Sequence, residues 1–249
     1  MAQTTHASIN GIGEYLAHGA TGIVERQEEV VLKRPYPNND DSLQELEIEA
    51  RIYRHLGPHP RIVPFLSWDS EPPILRIEHM KKGNLNSYIT SHQCSIEEKN
   101  RWVKQAADAI EFLHSKGVIH CDIKPDNLLL DDNLDLKVCD FAGSSLQGSK
   151  ALVGSATRYW RPTPLRAPCD ARDDIFGLGS TIYMIVTGTE PFEKLESDEV
   201  EARFSAAKFP DTGDLLFGEV MQACWGGHRS IEEVCDLIEK GTREMQKLD

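Results

Sequence analysis

Cysteine is scarce and scattered. Cys94, Cys121, Cys139, Cys169, Cys224 and Cys235 form no pair at metal-binding spacing, which argues against a disulfide framework or zinc module and for single thiols in a reducing compartment. Long hydrophobic runs are missing: none approaches the roughly 20 residues that cross a bilayer. The opening Met1-Ala2-Gln3-Thr4-Thr5-His6 has neither the basic and apolar blocks of a secretion signal nor a myristoylation glycine. Basic charge is also deficient, 27 Lys and Arg against 40 Asp and Glu, for a net charge of −13. Nucleic acid and anionic membranes, which need a basic face, are therefore not expected partners. An acidic surface is compatible with basic peptides, although it more often serves solubility. No repeat or low-complexity tract is present.

The 249 residues, 40% hydrophobic and 27% charged, suffice for one large domain or two lobes. The first eighty read mostly as strands with one helix. Val30-Val31-Leu32-Lys33 is an apolar strand ending in a lysine. Residues 43–56 carry Leu43, Leu46, Ile48, Ala50, Ile52, Tyr53 and Leu56 on an apolar side, and Gly57-Pro58 ends that helix. A further strand spans 74–80, and Gly83 is a flexible break. From Asn84 onward the pattern is mainly helical, so the expected class is α+β. Trp102, Val103, Ala106, Ala107, Ile110, Phe112 and Leu113 give 96–115 a helical period, with Ser95 and Glu98 as a capping box and Lys116-Gly117 as the stop.

The chemistry gathers at His120-Cys121-Asp122-Ile123-Lys124-Pro125-Asp126-Asn127, followed eighteen residues after Asp122 by Asp140-Phe141-Ala142-Gly143. Short apolar runs at 128–130 and 134–138 flank a polar turn at 131–133, which reads as a hairpin with an acid-bearing loop at each end. Either motif alone is ordinary turn chemistry. Together, in this order and spacing, they resemble the catalytic and metal-binding loops of eukaryotic-type protein kinases of the serine/threonine type. The chain most resembles a small fungal protein kinase-like group in which an Asp-Phe-Ala-Gly string also occurs.

That resemblance spans about 16–238 and implies a bilobal fold, a small antiparallel sheet lobe with one helix (1–82) and a larger, mainly helical lobe (83–249). It implies ATP and Mg2+ as cofactors and a protein substrate. Residues 17–24 resemble the glycine-rich loop, so Gly19, Gly22 and Val24 would cover the nucleotide, with Val31, Ile77, Leu129 and the backbone of Glu78 and Met80 around the adenine. Lys33 would grip phosphates while held by a helix glutamate. Of Glu45, Glu47 and Glu49, only Glu49 stands in the family's Glu-x-Arg-Ile arrangement before His59-Pro60-Arg61-Ile62-Val63. Asp122 would take the substrate proton, Lys124 would stabilise the moving phosphate, and Asn127 and Asp140 would hold magnesium. Lys124, two residues after Asp122, points to serine/threonine hydroxyls. Residues 144–163 would be the activation segment, ending in a substrate-docking stretch at 154–163, with Ser144, Ser145, Ser149, Ser155 and Thr157 as candidate phosphoacceptors. Cys121 stands where many kinases carry the arginine that receives a phosphate there, so activity is expected not to need that phosphate.

Ala17, Val31, Ala142 and Thr163 depart from the family pattern, and Arg229, which ordinarily pairs with a glutamate at the Thr163 position, is left without its usual partner. These departures suit an alternative, a nucleotide-binding pseudokinase acting as scaffold. None removes a group that touches the reacting atoms. A small-molecule kinase is disfavoured by Lys124-Pro125-Asp126-Asn127 and the docking stretch. A cytoplasmic location, with nuclear access left open, is expected; oligomeric state stays open.

Overall fold

The computed structural model describes residues 13–19, 21–149, 151, 156–163 and 167–245. Five antiparallel strands form one sheet: β1 (Glu14–His18), β2 (Ile23–Gln27), β3 (Val30–Arg34), β4 (Phe65–Ser70) and β5 (Pro73–Glu78), in the order β1-β2-β3-β5-β4. Central strand β3 pairs Val31 with Arg26 on one side and Ile77 on the other. Helix α1 (Asp40–Leu56) packs on this sheet. It begins three residues before the apolar period does, because Asn39 accepts the amide of Ser42 and Asp40 and Asp41 fill the first turn, where the helix dipole favours negative charge.

The helical lobe contains α2 (Leu85–Ser91), α3 (Ile96–Ser115), α4 (Ala171–Thr187), α5 (Ser197–Ser205), α6 (Gly218–Gly226) and α7 (Ile231–Met245). The expected α3 boundaries are observed, with the reciprocal Ser95/Glu98 box in place. Helix α4 packs against α3 and α6, and α3 against α7. This is the α+β bilobal architecture anticipated from sequence.

Two short strand pairs and the hydrogen bonds beside them position the loops that matter. β6 (Val118–Ile119) pairs with β9 (Ser145–Leu146), and β7 (Leu128–Leu130) with β8 (Leu136–Val138). The second pair is the expected hairpin, with Leu134 in its turn at φ 61°. The stretch after α1 is stitched to β8 by the Val63 amide on the Val138 carbonyl (3.0 Å) and the Val138 amide on the Arg61 carbonyl (2.8 Å). Gly83, at φ 72°, accepts the Leu130 amide at 2.9 Å as the chain passes from sheet to helices.

Candidate active site

Lys33, next to last in β3, directs its side chain toward α1. Its Nζ donates to Glu49 Oε1 (2.7 Å) and Oε2 (3.0 Å), and to Asp140 Oδ1 (2.9 Å). Glu49 is fully buried, whereas Glu47 is exposed and Glu45 half-exposed, so the helix offers one glutamate to the lysine. Burial alone would depress the Lys33 pKa, but Asp140 and Glu49 outweigh it and hold the ammonium above the usual lysine range. Burial raises the Glu49 pKa against the opposing pull of Lys33. Lys33 is also the main reason the Asp140 carboxyl lies below the ordinary carboxylate range, although burial works the other way.

The loop carrying Asp122 is held from beneath by a residue to which the sequence alone assigns no role at this site. Asp174, in the first turn of α4 and completely buried, accepts the amides of His120 (Oδ2, 2.8 Å) and Cys121 (Oδ1, 2.7 Å), and its Oδ2 also meets His114 Nε2 at 2.9 Å. These bonds fix Cys121 at φ 66°, a left-handed conformation that a non-glycine residue adopts only when its surroundings compel it. Gly177, one turn further, allows α4 to approach: a Cβ there would lie 2.5 Å from the Ile123 carbonyl oxygen. The available sequence signal for Asp174 was an acid opening an otherwise apolar helix, but nothing local reveals a contact across 54 residues.

So supported, Asp122 receives Lys124 Nζ (2.7 Å) and Asn127 Nδ2 (2.9 Å) on Oδ2, while its buried Oδ1 has no partner among the described residues. Asn127 Nδ2 also donates to the Asp122 carbonyl at 2.8 Å, which turns its amide nitrogen toward Asp122. His120 Nε2 meets the Cys139 carbonyl at 2.9 Å, joining this loop to the one bearing Asp140. Among the described residues no cluster of three His, Cys, Asp or Glu side chains could cage a metal. A carboxylate held ionised by Lys33, near an asparagine amide, is instead a donor set suited to magnesium, which keeps most of its coordination for water and phosphate oxygens.

The remaining nucleotide-side candidates line the sheet and its exit. Val31 and Ile77 are buried cross-strand neighbours, Val24 pairs with Lys33, and Leu129 pairs with Lys137 and bridges Asn84. Gly19 and Gly22 close a tight turn through the Gly19 amide and Gly22 carbonyl (2.9 Å). Gly22 is demanded by the protein itself, since a Cβ there would lie 2.2 Å from the Arg34 carbonyl oxygen. Two further residues that sequence inspection passed over brace this loop: Tyr36 Oη donates to the Gly19 carbonyl (2.7 Å) and Ser42 Oγ to the Thr21 carbonyl (2.6 Å). The expectation for Glu78 narrows, because its amide is bound to the Pro64 carbonyl at 2.9 Å; its carbonyl is what it can offer a base. Met80 likewise has its carbonyl bound by Gly83 at 3.0 Å, which leaves its amide as the group to consider.

The activation segment requires corrections. Ser144 and Ser145 are buried, with hydroxyls bonded to the His120 and Ser149 carbonyls, because β9 is pinned against β6; neither is an accessible phosphoacceptor as placed. Ser155, like Gly154 and the side chain of Ala17, lies outside the described residues. Arg229 is half exposed and pairs with Glu233 one turn along at 3.1 Å, so no buried cation is left unmatched by Thr163.

Residues 11–240 match the model of the protein kinase domain. The serine/threonine/tyrosine-protein kinase HT1 of Arabidopsis thaliana is 30% identical over 202 residues, 75% of this chain and 51% of that protein. The probable serine/threonine-protein kinase SIS8 of the same plant is 30% identical across 95% of this chain and 25% of its own length. The Aurora/IPL1-related protein kinase 2 of Caenorhabditis elegans is 31% identical across 80% of this chain and 67% of its own. The chain thus spans about half and a quarter of the first two relatives. With the family model covering nearly all of the chain and the Lys33, Glu49, Asp122, Asn127 and Asp140 side chains gathered as described, the chain belongs to the protein kinase family.

Proposed function

We propose that this chain transfers the γ-phosphate of ATP to serine or threonine hydroxyls of protein substrates. The observation that carries this reading is Asp122: one carboxylate oxygen is fixed by Lys124 and Asn127, and the other is buried without a partner among the described residues. A buried acceptor left unsatisfied costs about 1–3 kcal/mol, which an incoming hydroxyl would relieve. Oδ1 would orient that hydroxyl and accept its proton as the oxygen attacks phosphorus. Lys124 would follow the charge of the transferring group. Lys33, held between Glu49 and Asp140, would orient the phosphates, and the carbonyl of Glu78 with the amide of Met80 would read the adenine edge. Asp140 and the Asn127 carbonyl oxygen would hold magnesium, which when bound neutralises phosphate charge. Positioning and electrostatics of this kind supply most of the rate in phosphoryl transfer.

Preference for serine and threonine rests on Lys124 at its spacing from Asp122 and on the names of two relatives, of which one also includes tyrosine. The six free thiols fit a reducing, cytoplasmic setting. The test is incubation with magnesium-ATP and a basic protein mixture, followed by phosphoamino-acid analysis. Phosphoserine and phosphothreonine are expected; phosphate on tyrosine alone, or on a metabolite, overturns the assignment. A scaffold without catalysis would bind nucleotide and label nothing.

A further inference from the structure

We infer that Arg161, seconded by Arg158, is the positioning residue that holds the substrate-docking stretch in its working place, an inference that rests on reading 156–163 as that stretch. Arg161 Nε donates to Asp173 Oδ1 at 3.0 Å, and its Nη2 lies 3.3 Å from Asp170 Oδ2. The ion pair is largely sheltered, with side-chain exposures of 18% for Arg161 and 5% for Asp173. Its two acceptors are the reciprocal caps of α4: Asp170 is the N-cap, its amide donates to Asp173 Oδ2 at 2.7 Å, and Arg172 braces it from the solvent side. The next residue is Asp174, which holds the His120 and Cys121 amides. One helical turn therefore fastens the catalytic loop through Asp174 and the docking stretch through Asp170 and Asp173. A displacement of Arg161 moves substrate relative to Asp122 without touching the nucleotide side.

Arg158 supplies a second fastening. Its Nη2 donates to the Leu195 carbonyl at 2.6 Å, and its Nε lies 3.7 Å from Glu190. Between the two arginines Tyr159 is buried, and that burial together with the carboxylate of Glu190 raises its pKa. Arg229, two residues before α7, pairs instead with Glu233 in that helix. Arg158 is thus engaged through its Nη2 by a main-chain carbonyl, and Arg161 by the two carboxylates of α4.

A planar guanidinium bridging two carboxylates cannot be reproduced by a point charge, so Arg161→Lys is expected to recover only part of the function. Arg161→Ala should raise KM for a protein substrate by about tenfold to a hundredfold, the range expected when a positioning contact is lost. KM for ATP should stay within about twofold, and Arg229→Ala should alter neither. Hydrogen exchange supplies a readout independent of turnover: amides of 156–163 should exchange faster in Arg161→Ala, with those of β2, β3 and α1 unchanged. An unaltered protein-substrate KM in an active enzyme, or unaltered exchange at 156–163, overturns the role of Arg161. Absence of any phosphate transfer by the parent refutes the proposed function instead, and the exchange comparison still decides the positioning.

Discussion

Removing the carboxylate of Asp174 should do more damage than removing any other acid in the helical lobe. In Asp174→Ala the amides of His120 and Cys121 lose their acceptors inside a site with no exposed surface, and His114 loses its partner. Each orphaned buried donor costs about 1–3 kcal/mol, and deleting one member of a buried, hydrogen-bonded charged network costs about 3–5 kcal/mol in all. We take about 4 kcal/mol. For a chain of this size each kcal/mol shifts Tm by roughly 2–4 °C, so thermal unfolding followed by circular dichroism should move down by about 8–16 °C. Release of the left-handed Cys121 backbone should also let Asp122 drift and lower kcat. Magnesium-ATP affinity, measured by calorimetry, should change by no more than about twofold, because Lys33, Glu49 and the sheet are untouched. Asp174→Asn, which keeps an acceptor for one amide, should lie between. A fall in Tm of under about 2 °C for Asp174→Ala would refute the reasoning, since no relaxation could then have left two buried amides unsatisfied.

Three further outcomes follow. Gly22→Ala should lose about 1–3 kcal/mol of stability in a denaturant titration, because the added Cβ meets the backbone of Arg34 and neither strand end can yield cheaply; unchanged stability would mean the turn has room. Carboxyl titration by NMR should find Glu49 protonating above the ordinary glutamate value of about 4.3 and Asp140 below the ordinary aspartate value of about 3.9. The signs differ: the depressed Asp140 value contributes stability above its unfolded pKa that is lost as pH falls through the folded value, while the raised Glu49 value gives a contribution that is full at low pH and declines as pH rises through its folded value. The opposite order of titration would contradict the Lys33 geometry. Finally, phosphatase treatment that leaves the activation segment bare by mass spectrometry should not reduce the initial rate, since Cys121 offers no phosphate receptor and Arg158 and Arg161 are engaged; a large fall reversed by rephosphorylation would contradict this.

Much of this was legible in the chain because the informative signals were local. Ser95, Glu98 and Gly117 mark the ends of α3, and the spacing from Asp122 to Asp140 identifies two loops around a hairpin. Glu49 could be chosen among three glutamates because a short motif fixes its register, and burial separates it from Glu47. The early start of α1 was missed because the apolar period begins at Leu43, whereas the helix is set by the polar cap at Asn39. Asp174, Tyr36 and Ser42 escaped for a different reason. Each acts on backbone groups distant in sequence, and a side chain that satisfies a remote amide or carbonyl leaves no periodic trace. Arg161 is similar in that its partners depend on how the chain returns to α4, whereas Arg229 finds Glu233 only four residues on.

The most direct test of the central claim uses ATP labelled at the γ-phosphate, magnesium and a basic protein substrate, comparing the parent with Asp122→Asn at matched nucleotide occupancy. The account predicts that both bind magnesium-ATP comparably and that the parent labels the protein at least about a hundredfold faster, the range expected for loss of a positioned acid–base group. Equal labelling by the two, or nucleotide binding with no labelling by either, would contradict it.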